Sequence, residues 1–305
     1  MKYKFIFGNA PELAQAELNA VGTDLPPQEL IKKLGGTVKI AEILPEDIKL
    51  SEIIKGDFGV SDLTGKVNIV KLCKDIKNET GERFVLPKHG EKQLSSVVVA
   101  KQKLTEIIIG DGWIGKTVAV QDFEEWGRRD YGRPCAEGHI GMLPPKVARM
   151  MINISQGKNI LDPFCGTGTI LMEALTIGLN ATGSDINKSQ IERTQKNLHW
   201  LGKTAKLYVS DARTISNRVK NIDAIVTEPD LGPKLNLDVL YFQALADWTK
   251  ILVPGGRVVI AFPSVKNVLD KAKNIGYSLA EGPYKYARPQ AKIIRNICVL
   301  KYGPH

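Results

Sequence analysis

The second half of the chain alternates short apolar runs with amphipathic segments from about residue 146 onward. The apolar runs have the length of strands and lie at 159–163, 181–184, 206–209, 223–227 and 257–262. The segments between and before them repeat apolar residues at the spacing of a helix with one buried face. These segments lie at 146–154, 169–177, 188–201, 237–252 and 265–275. Strands that alternate with helices predict an α/β fold, a parallel sheet with helices on both faces.

Two last apolar runs, at 277–286 and 293–301, have no helix between them and predict an antiparallel hairpin at one edge of the sheet. Residues 1–115 show strand and helix patterns without this regular alternation and predict a smaller α+β domain. Residues 116–145 are rich in glycine, charge and aromatic side chains but have no periodicity, which predicts a linker that carries a functional loop. The sheet domain is therefore expected at 146–305.

The composition is that of a folded globular protein, with 305 residues, 43% of them hydrophobic and 25% charged. The net charge of +9 is distributed unevenly, because residues 1–140 carry 20 basic and 21 acidic side chains whereas 141–305 carry 22 and 12. One stretch of the first half, 66–103, is also basic. Such a surplus suggests a polyanionic partner.

The four cysteines form neither a Cys-x-x-Cys pair nor a cluster with histidines, so no disulfide framework and no metal site is predicted. The first residues contain no signal-peptide core, and no apolar run reaches the length of a membrane span. We therefore expect a cytoplasmic protein that does not associate with membranes.

The residues after the first strand of the sheet domain indicate a nucleotide-like cofactor. Asp162-Pro-Phe-Cys-Gly166-Thr-Gly168-Thr lies where an α/β sheet places its ligand, and its glycines let the backbone pass close beneath a bound molecule. A dinucleotide is disfavoured, because Leu171 takes the place of the third glycine and Asp162 would repel a pyrophosphate. An acidic side chain here suits S-adenosylmethionine, whose ammonium and sulfonium groups are cationic.

Two further acidic residues follow the next strands. Asp185 is placed to accept hydrogen bonds from ribose hydroxyls, and Asp211 lies near the expected adenine, although either aspartate alone is also a common helix cap. The predicted cofactor contacts are Asp162, Phe164, Gly166, Gly168, Asp185, Ile186, Asp211 and Ala212.

The fourth strand ends at Glu228-Pro229-Asp230, which we interpret as the catalytic segment. A carboxylate and a carbonyl fixed by proline can accept hydrogen bonds from an exocyclic amino group, whose lone pair is otherwise conjugated into a ring. Holding both N–H groups helps the nitrogen to pyramidalise and attack a methyl group in line. The alternative is an ordinary loop at the end of a strand, with Glu228 in solvent.

The run 162–169, together with Arg133-Pro134 and the segment 139–149, resembles the THUMP-containing tRNA guanine-N2-methyltransferases. The N-terminal residues also resemble the ferredoxin-like leader of that family. The resemblance implies a Rossmann-like methyltransferase sheet, an abbreviated THUMP-like RNA-binding region within 1–115, and S-adenosylmethionine as cofactor. It also implies methylation of the N2 amine of a guanosine, at position 10 of tRNA. Some relatives work with a small zinc-binding activator protein.

The chain departs from the family at its catalytic segment. The family usually has Asp or Asn followed by Pro-Pro-aromatic, whereas this chain has Asp230 and Leu231 at the third and fourth positions. The aromatic ring that stacks on a flipped target base is therefore missing from its usual place. The other aromatic residues that we consider for this role are Phe262, Trp126, Tyr131 and Tyr284.

Six basic residues are predicted to contact RNA, in two groups. Those of the N-terminal region are Lys71, Lys74 and Arg83, and those of the predicted linker are Arg128, Arg129 and Arg133. Arginines interleaved with aromatic residues suit base stacking and phosphate binding. The alternatives are a solvated charged face for the first group and neutralisation by nearby acidic residues for the second. Basic residues of the terminal hairpin extend this predicted surface, namely Lys285, Arg288, Lys292 and Arg295.

Two other functions remain open on the sequence. Amino-methylating DNA enzymes share the sheet and a similar fourth-strand motif, although they typically carry the stacking aromatic residue. A tRNA-binding protein that keeps the cofactor pocket without turnover would also fit the unusual Glu228-Pro229-Asp230-Leu231 segment.

Overall fold

The computed structural model describes residues 2–136, 142–229, 237–262, 266–287 and 294–303. The chain divides into two compact units. The first consists of Met1–Asn9, Thr23–Lys33 and Thr37–Glu125. The second consists of Ala10–Gly22, Leu34–Gly36 and Trp126–His305. No helix in the described parts of the chain combines the length and the apolar character needed to cross a bilayer.

In chain order the strands are β1 (Tyr3–Phe7), β2 (Thr37–Ile43), β3 (Phe58–Asp62), β4 (Phe84–Val85), β5 (Thr105–Gly110), β6 (Trp113–Val120), β7 (Asn159–Asp162), β8 (Asn180–Asp185), β9 (Lys206–Val209), β10 (Ile222–Thr227), β11 (Leu252–Phe262), β12 (Tyr277–Ala287) and β13 (Ile294–Tyr302). The α-helices are α1 (Pro11–Val21), α2 (Pro27–Lys33), α3 (Leu50–Ile53), α4 (Ile69–Thr80), α5 (Ser96–Lys101), α6 (Phe123–Asp130), α7 (Pro145–Ser155), α8 (Thr169–Thr176), α9 (Lys188–Trp200), α10 (Leu237–Trp248) and α11 (Lys266–Ile275). A 3-10 helix, Ala212–Asn217, follows β9.

The first unit is built on a sheet with the strand order β1-β2-β6-β5-β3-β4. β3 runs parallel to its neighbours β4 and β5, and the other pairs are antiparallel. Helix α4 buries Cys73 and Ile76 against Phe58 and Ile107 of the sheet, which leaves its lysines on the opposite face. The ferredoxin-like and THUMP-like character of this unit stays a prediction.

The second unit is built on a sheet with the order β12-β13-β11-β10-β7-β8-β9. Strands β11, β10, β7, β8 and β9 are parallel, and β13 lies antiparallel between β11 and β12. The Rossmann-like fold and the antiparallel hairpin predicted from the sequence are therefore confirmed. The carboxyl ends of the five parallel strands share one edge of the sheet, where α/β proteins bind their ligands.

Helix α1 belongs to the second unit although it lies near the start of the chain. Its Glu17 is buried and accepts hydrogen bonds from the backbone N–H groups of Gly35 and Gly36, both at 2.8 Å, and from Asn153 Nδ2 of α7 at 2.6 Å. Burial raises the pKa of Glu17 to about 7, in spite of these donors and of Arg149 nearby. The predicted range 146–305 therefore omits residues that form part of this unit.

The structure also differs from the predicted linker at 116–145. Strand β6 continues the first sheet to Val120, and helix α6 occupies 123–130. This helix escapes a search for apolar periodicity because its buried face consists of Trp126 and Arg129, three residues apart. Arg129 fills a position where the pattern expects an apolar side chain. The first unit accordingly ends at Glu125 and not at residue 115.

Candidate active site

Acidic side chains meet at the carboxyl edge of the second sheet. Asp162 ends β7, Asp185 ends β8, and Glu228 follows β10. Since β7 lies between β8 and β10, the three carboxyl groups come from neighbouring strands. The sequence alone predicted this convergence, because the ends of parallel strands share one edge.

A tight turn with two glycines connects β7 to α8. Cys165 N donates to Ser184 O at 2.9 Å, and Gly168 N donates to Cys165 O at 2.7 Å. Gly166 has φ +49° and nothing within 4 Å of the place that a Cβ would occupy, which leaves open space above the backbone. Gly168 has φ +87°, and a Cβ there would lie 2.8 Å from Thr194 Cγ2. Glycine is thus needed at Gly168 both for conformation and for the close approach of α9.

Asp162 is almost completely buried, with 2% of its surface exposed. Its Oδ1 accepts hydrogen bonds from Thr227 Oγ1 at 2.6 Å and from Phe164 N at 3.1 Å. Burial raises the pKa of Asp162 to about 7, and the negative charge of Asp185 contributes in the same direction. A cationic ligand group beside Asp162 would favour its ionised form.

Asp185 fastens the glycine turn to the end of β8. Its Oδ2 accepts from Gly166 N at 3.1 Å, and its Oδ1 accepts from Asn187 N at 2.9 Å. Each carboxylate oxygen has a second lone pair, so the group can still accept from hydroxyls. The next residue, Ile186, is 70% exposed, which is unusual for an isoleucine and leaves an apolar surface beside the turn.

Asp211 takes the capping role that its position also allowed. Its carboxylate accepts from Arg213 N at 2.9 Å and pairs with the Arg213 guanidinium at 2.5 Å. Hydrogen bonding from Arg213 lowers the pKa of Asp211. The side chain of Ala212 is packed in the core, where Trp248 Nε1 donates to the Ala212 carbonyl at 3.0 Å. The predicted cofactor contact of Ala212 would therefore be made by its backbone, and it stays a prediction.

Phe164 and the predicted catalytic segment, Glu228-Pro229-Asp230, also follow strands that end at the carboxyl edge of the second sheet. The ring of Phe164 packs edge-on to Trp248, with 6.5 Å between centroids. Glu228 is mostly buried and forms an ion pair with Arg295 Nε of β13, and Pro229 is buried. Asp230, the third residue predicted to be catalytic, and the neighbouring Leu231 lie outside the described residues.

The structure corrects two of the predicted RNA contacts. Arg129 is 5% exposed and pairs through Nε with Glu173 Oε1 at 2.7 Å. Arg133 is 3% exposed and donates to Thr169 Oγ1 at 2.8 Å. Both guanidinium groups lie inside the second unit and cannot reach RNA, because Glu173 and Thr169 of α8 draw them inward. Their burial was not visible in the sequence, since the partners lie in a later helix.

The other four predicted RNA contacts are exposed. Lys71 and Lys74 project from the outer face of α4, and neither has an ion-pair partner in the described parts of the chain. Arg83 is also exposed, but its Nη2 pairs with Asp57 at 2.5 Å, which compensates its charge. Arg128 lies over the ring of Trp200, 4.7 Å from the centroid.

Four aromatic residues were considered for stacking on a target base, and two of them are excluded by burial. Phe262 belongs to the core of the second unit, and Trp126 lies beneath the Arg129 and Arg149 guanidinium groups. Tyr131 is 73% exposed. Tyr284 is half-buried, and its hydroxyl donates to Glu281 Oε2 at 3.2 Å.

Comparisons with known proteins agree with this geometry. Residues 132–279 match the family model described as UPF0020, RMKL-like, methyltransferase domain. The chain is 30% identical to the tRNA (guanine(10)-N2)-dimethyltransferase of Pyrococcus abyssi. The alignment is 321 positions long and covers 92% of this chain and 93% of that protein. This chain belongs to the tRNA guanine-N2-methyltransferase family.

A second relative of this methyltransferase is the tRNA (guanine(6)-N2)-methyltransferase of Thermus thermophilus, 29% identical over 135 residues and covering 39% of each chain. The fold is similar to the crystal structure of TrmN from Thermus thermophilus, with a TM-score of 0.60 and 16% identity over 99% of both chains. The fold class predicted from the sequence is the one that this comparison shows.

The cofactor of this methyltransferase is S-adenosylmethionine, and the residues at the sheet edge fit it. The open space at Gly166 accommodates a ligand that a larger side chain would displace. The buried carboxyl group of Asp162 matches a cationic amino acid moiety, and Asp185 has lone pairs left for ribose hydroxyls. These three residues would hold the methyl donor beside Glu228.

Proposed function

We propose that this chain transfers methyl groups to the exocyclic N2 amine of the guanosine at position 10 of tRNA. The observation that carries the proposal is the position of Glu228, directly after β10 and next to the strand end that bears Asp162. We infer that Glu228, as a hydrogen-bond acceptor at this strand end, faces the methyl group of a donor held by the glycine turn. The names of the Pyrococcus abyssi relative and of the Thermus thermophilus relative support the guanine N2 target.

S-adenosylmethionine held by the glycine turn, Asp162 and Asp185 would supply an electrophilic methyl group for N2, and its sulfonium sulfur would keep the electrons of the carbon–sulfur bond. Glu228 accepts a hydrogen bond from an N2–H group and orients the amine for this attack. The same carboxylate stabilises the positive charge that develops on nitrogen before the amine loses one proton to solvent. Asp162 and Asp185 hold the donor, so catalysis consists of positioning and electrostatics.

The tRNA partner is supported by the positive charge of the sheet half of the chain and by exposed Lys71 and Lys74. The Pyrococcus abyssi relative is named a dimethyltransferase, and we propose that this chain also adds a second methyl group to the same nitrogen. The cytoplasmic location and the small zinc-binding activator protein remain predictions.

The test uses two tRNA transcripts that differ in one base. The first carries guanosine at position 10, and the second carries inosine there, which lacks the N2 amine. Labelled S-adenosylmethionine and the full chain should produce N2-methylguanosine or N2,N2-dimethylguanosine on the first transcript and nothing on the second. Glu228→Gln keeps the shape of the side chain and removes its charge, so we expect it to lower the rate of transfer about 100-fold.

Other outcomes distinguish the alternatives. Equal labelling of both transcripts would contradict the N2 target at position 10. Labelling of a DNA duplex without labelling of tRNA would establish the DNA amino-methyltransferase. Binding of both cofactor and tRNA without any product would establish the non-catalytic protein.

A further inference from the structure

Arg295 lies at the same edge of the second sheet as the glycine turn. It is the second residue of β13, which runs antiparallel to β11, and the next residue, Asn296, pairs with Phe262 at the end of β11. Because β10 is parallel to β11, the start of β13 is level with the ends of both strands. Glu228, which follows β10, is therefore within reach of the Arg295 side chain.

The two side chains form an ion pair in which Arg295 Nε contacts Glu228 Oε1. Their side chains are only 7% and 11% exposed, respectively. Burial lowers the pKa of Arg295, because a guanidinium group removed from water needs a compensating charge. Glu228 supplies that charge, and Arg295 in turn stabilises the ionised form of Glu228. The sequence-based expectation that Arg295 belongs to an exposed basic surface is thereby corrected.

The ionisation state of Glu228 decides what it can do to an amine. An ionised carboxylate only accepts hydrogen bonds, whereas a protonated one also donates from one of its oxygens. A donor facing the N–H groups of the target would repel them. A mostly buried carboxyl group without a cationic neighbour tends to become protonated. Arg295 therefore keeps Glu228 in the ionised form that only accepts hydrogen bonds.

The ion pair also restricts how the Glu228 carboxylate can face the substrate. Glutamate has a flexible side chain, and the planar guanidinium group restricts it by holding Oε1. The carboxylate is thereby held in one orientation toward the amine. A displacement of about 1 Å in such a contact can lower a rate about 100-fold.

We propose that Arg295 is a positioning residue for methyl transfer, which keeps Glu228 ionised and holds its carboxylate in one orientation toward the target amine. The inference rests on the proposed function, in which Glu228 accepts the N2–H group. In this proposal Arg295 acts through Glu228 and not through the reacting atoms.

The test compares Arg295→Met with Lys301→Met. Both variants remove one positive charge from β13, but Lys301 is exposed and lies at the other end of the strand. Single-turnover transfer is measured with saturating cofactor and the position-10 guanosine transcript, together with the dissociation constants of cofactor and tRNA and the melting temperature. Arg295→Met should slow transfer at least about 30-fold while both dissociation constants stay within about threefold. Lys301→Met should leave the transfer rate unchanged.

Two further variants separate positioning from other roles. Arg295→Lys keeps the positive charge and should recover at least about half of the loss on a logarithmic scale. In a Glu228→Gln background, Arg295→Met should slow transfer by less than about threefold, because the two residues act as one unit. If Arg295→Met lowers the melting temperature too far for assay, Arg295→Lys and Arg295→Gln can be compared in the unchanged and the Glu228→Gln backgrounds in its place.

Three results would overturn the inference. A loss of equal size in both backgrounds would mean that Arg295 acts independently of Glu228. Weaker tRNA binding with an unchanged transfer rate would make Arg295 an RNA contact. An active Arg295→Met protein together with an inactive Glu228→Gln protein would contradict the inference and leave the proposed function intact. A fully active Glu228→Gln protein would instead contradict the catalytic role proposed for Glu228.

Discussion

Glu173 holds two buried arginines in the second unit, and its replacement by glutamine tests how much that arrangement stabilises the fold. Arg129 Nε donates to its Oε1 at 2.7 Å, and Arg149 Nη2 donates to its Oε2 at 2.6 Å. Side-chain exposure is 6% for Arg129, 0% for Arg149 and 1% for Glu173. If the charge of Glu173 is removed, water therefore cannot solvate the two guanidinium groups in its place. Both guanidinium groups also lie over the ring of Trp126, at 4.5 and 5.2 Å from its centroid.

Removing the charged partner of a buried pair costs about 3–5 kcal/mol, because the remaining charge is left uncompensated. The glutamine oxygen can still accept from one arginine, so we expect about 3 kcal/mol for Glu173→Gln. For a unit of this size, 1 kcal/mol corresponds to about 2–4 °C in melting temperature, which gives a decrease of about 6–12 °C. The measurement is thermal unfolding followed by circular dichroism.

Glu192→Gln on α9 is the matched control, since Glu192 pairs with Lys188 at 3.9 Å on the exposed surface of the same unit. Exposed pairs contribute little, so its melting temperature should change by no more than about 2 °C. Adding Arg149→Met to Glu173→Gln should recover part of the loss, because one of the buried charges disappears with its partner. A Glu173→Gln protein that melts within about 2 °C of the unchanged chain would refute the argument.

Three further predictions concern the cofactor and RNA sites. Gly168→Ala should weaken S-adenosylmethionine binding at least about tenfold in titration calorimetry, since a Cβ at φ +87° would lie 2.8 Å from Thr194 Cγ2; unchanged affinity would contradict the need for glycine. Because the pKa of Asp162 is raised to about 7, affinity for the cationic cofactor should rise with pH until about 7 and then level off, with protons released on binding below that pH. Thr227→Val removes a donor that favours ionised Asp162 and should move this rise to higher pH, whereas a flat profile in both proteins would show that Asp162 does not contact the cationic group. Lys71→Ala combined with Lys74→Ala should weaken tRNA binding several-fold. The slope of the logarithm of the binding constant against the logarithm of the salt concentration should fall by the equivalent of about one to two phosphate contacts. An unchanged slope would mean that RNA binds elsewhere.

Much of the fold and the core of the candidate site could be predicted from the sequence. The alternation of apolar runs and helical segments determines a parallel sheet, and the edge shared by its strand ends brings Asp162 close to Asp185. These relations depend on local patterns and on one general rule of topology. The positions of Gly166 and Gly168 follow in the same way, because a tight turn after a strand favours glycine.

The parts that escaped prediction depend on partners distant in sequence. Arg129 and Arg133 resemble RNA contacts until α8 supplies Glu173 and Thr169, which bury them. Arg295 likewise resembles a surface residue until β13 places it against the end of β10. A charged side chain carries no sign of its own burial, since the counter-charge that permits burial comes from another element.

The division of the chain between its two units has a consequence for how the protein can be made and cut. The second unit uses residues 10–22 and 34–36, so the ribosome completes these pieces long before the sheet on which they pack exists. A fragment that starts at Trp126 would lack Glu17, leaving Asn153 without the carboxylate that it donates to and the surface of α7 uncovered. The sheet of the second unit therefore depends on residues 10–22 and 34–36 for part of its packing, and a fragment that starts at Trp126 should be less stable than the full chain.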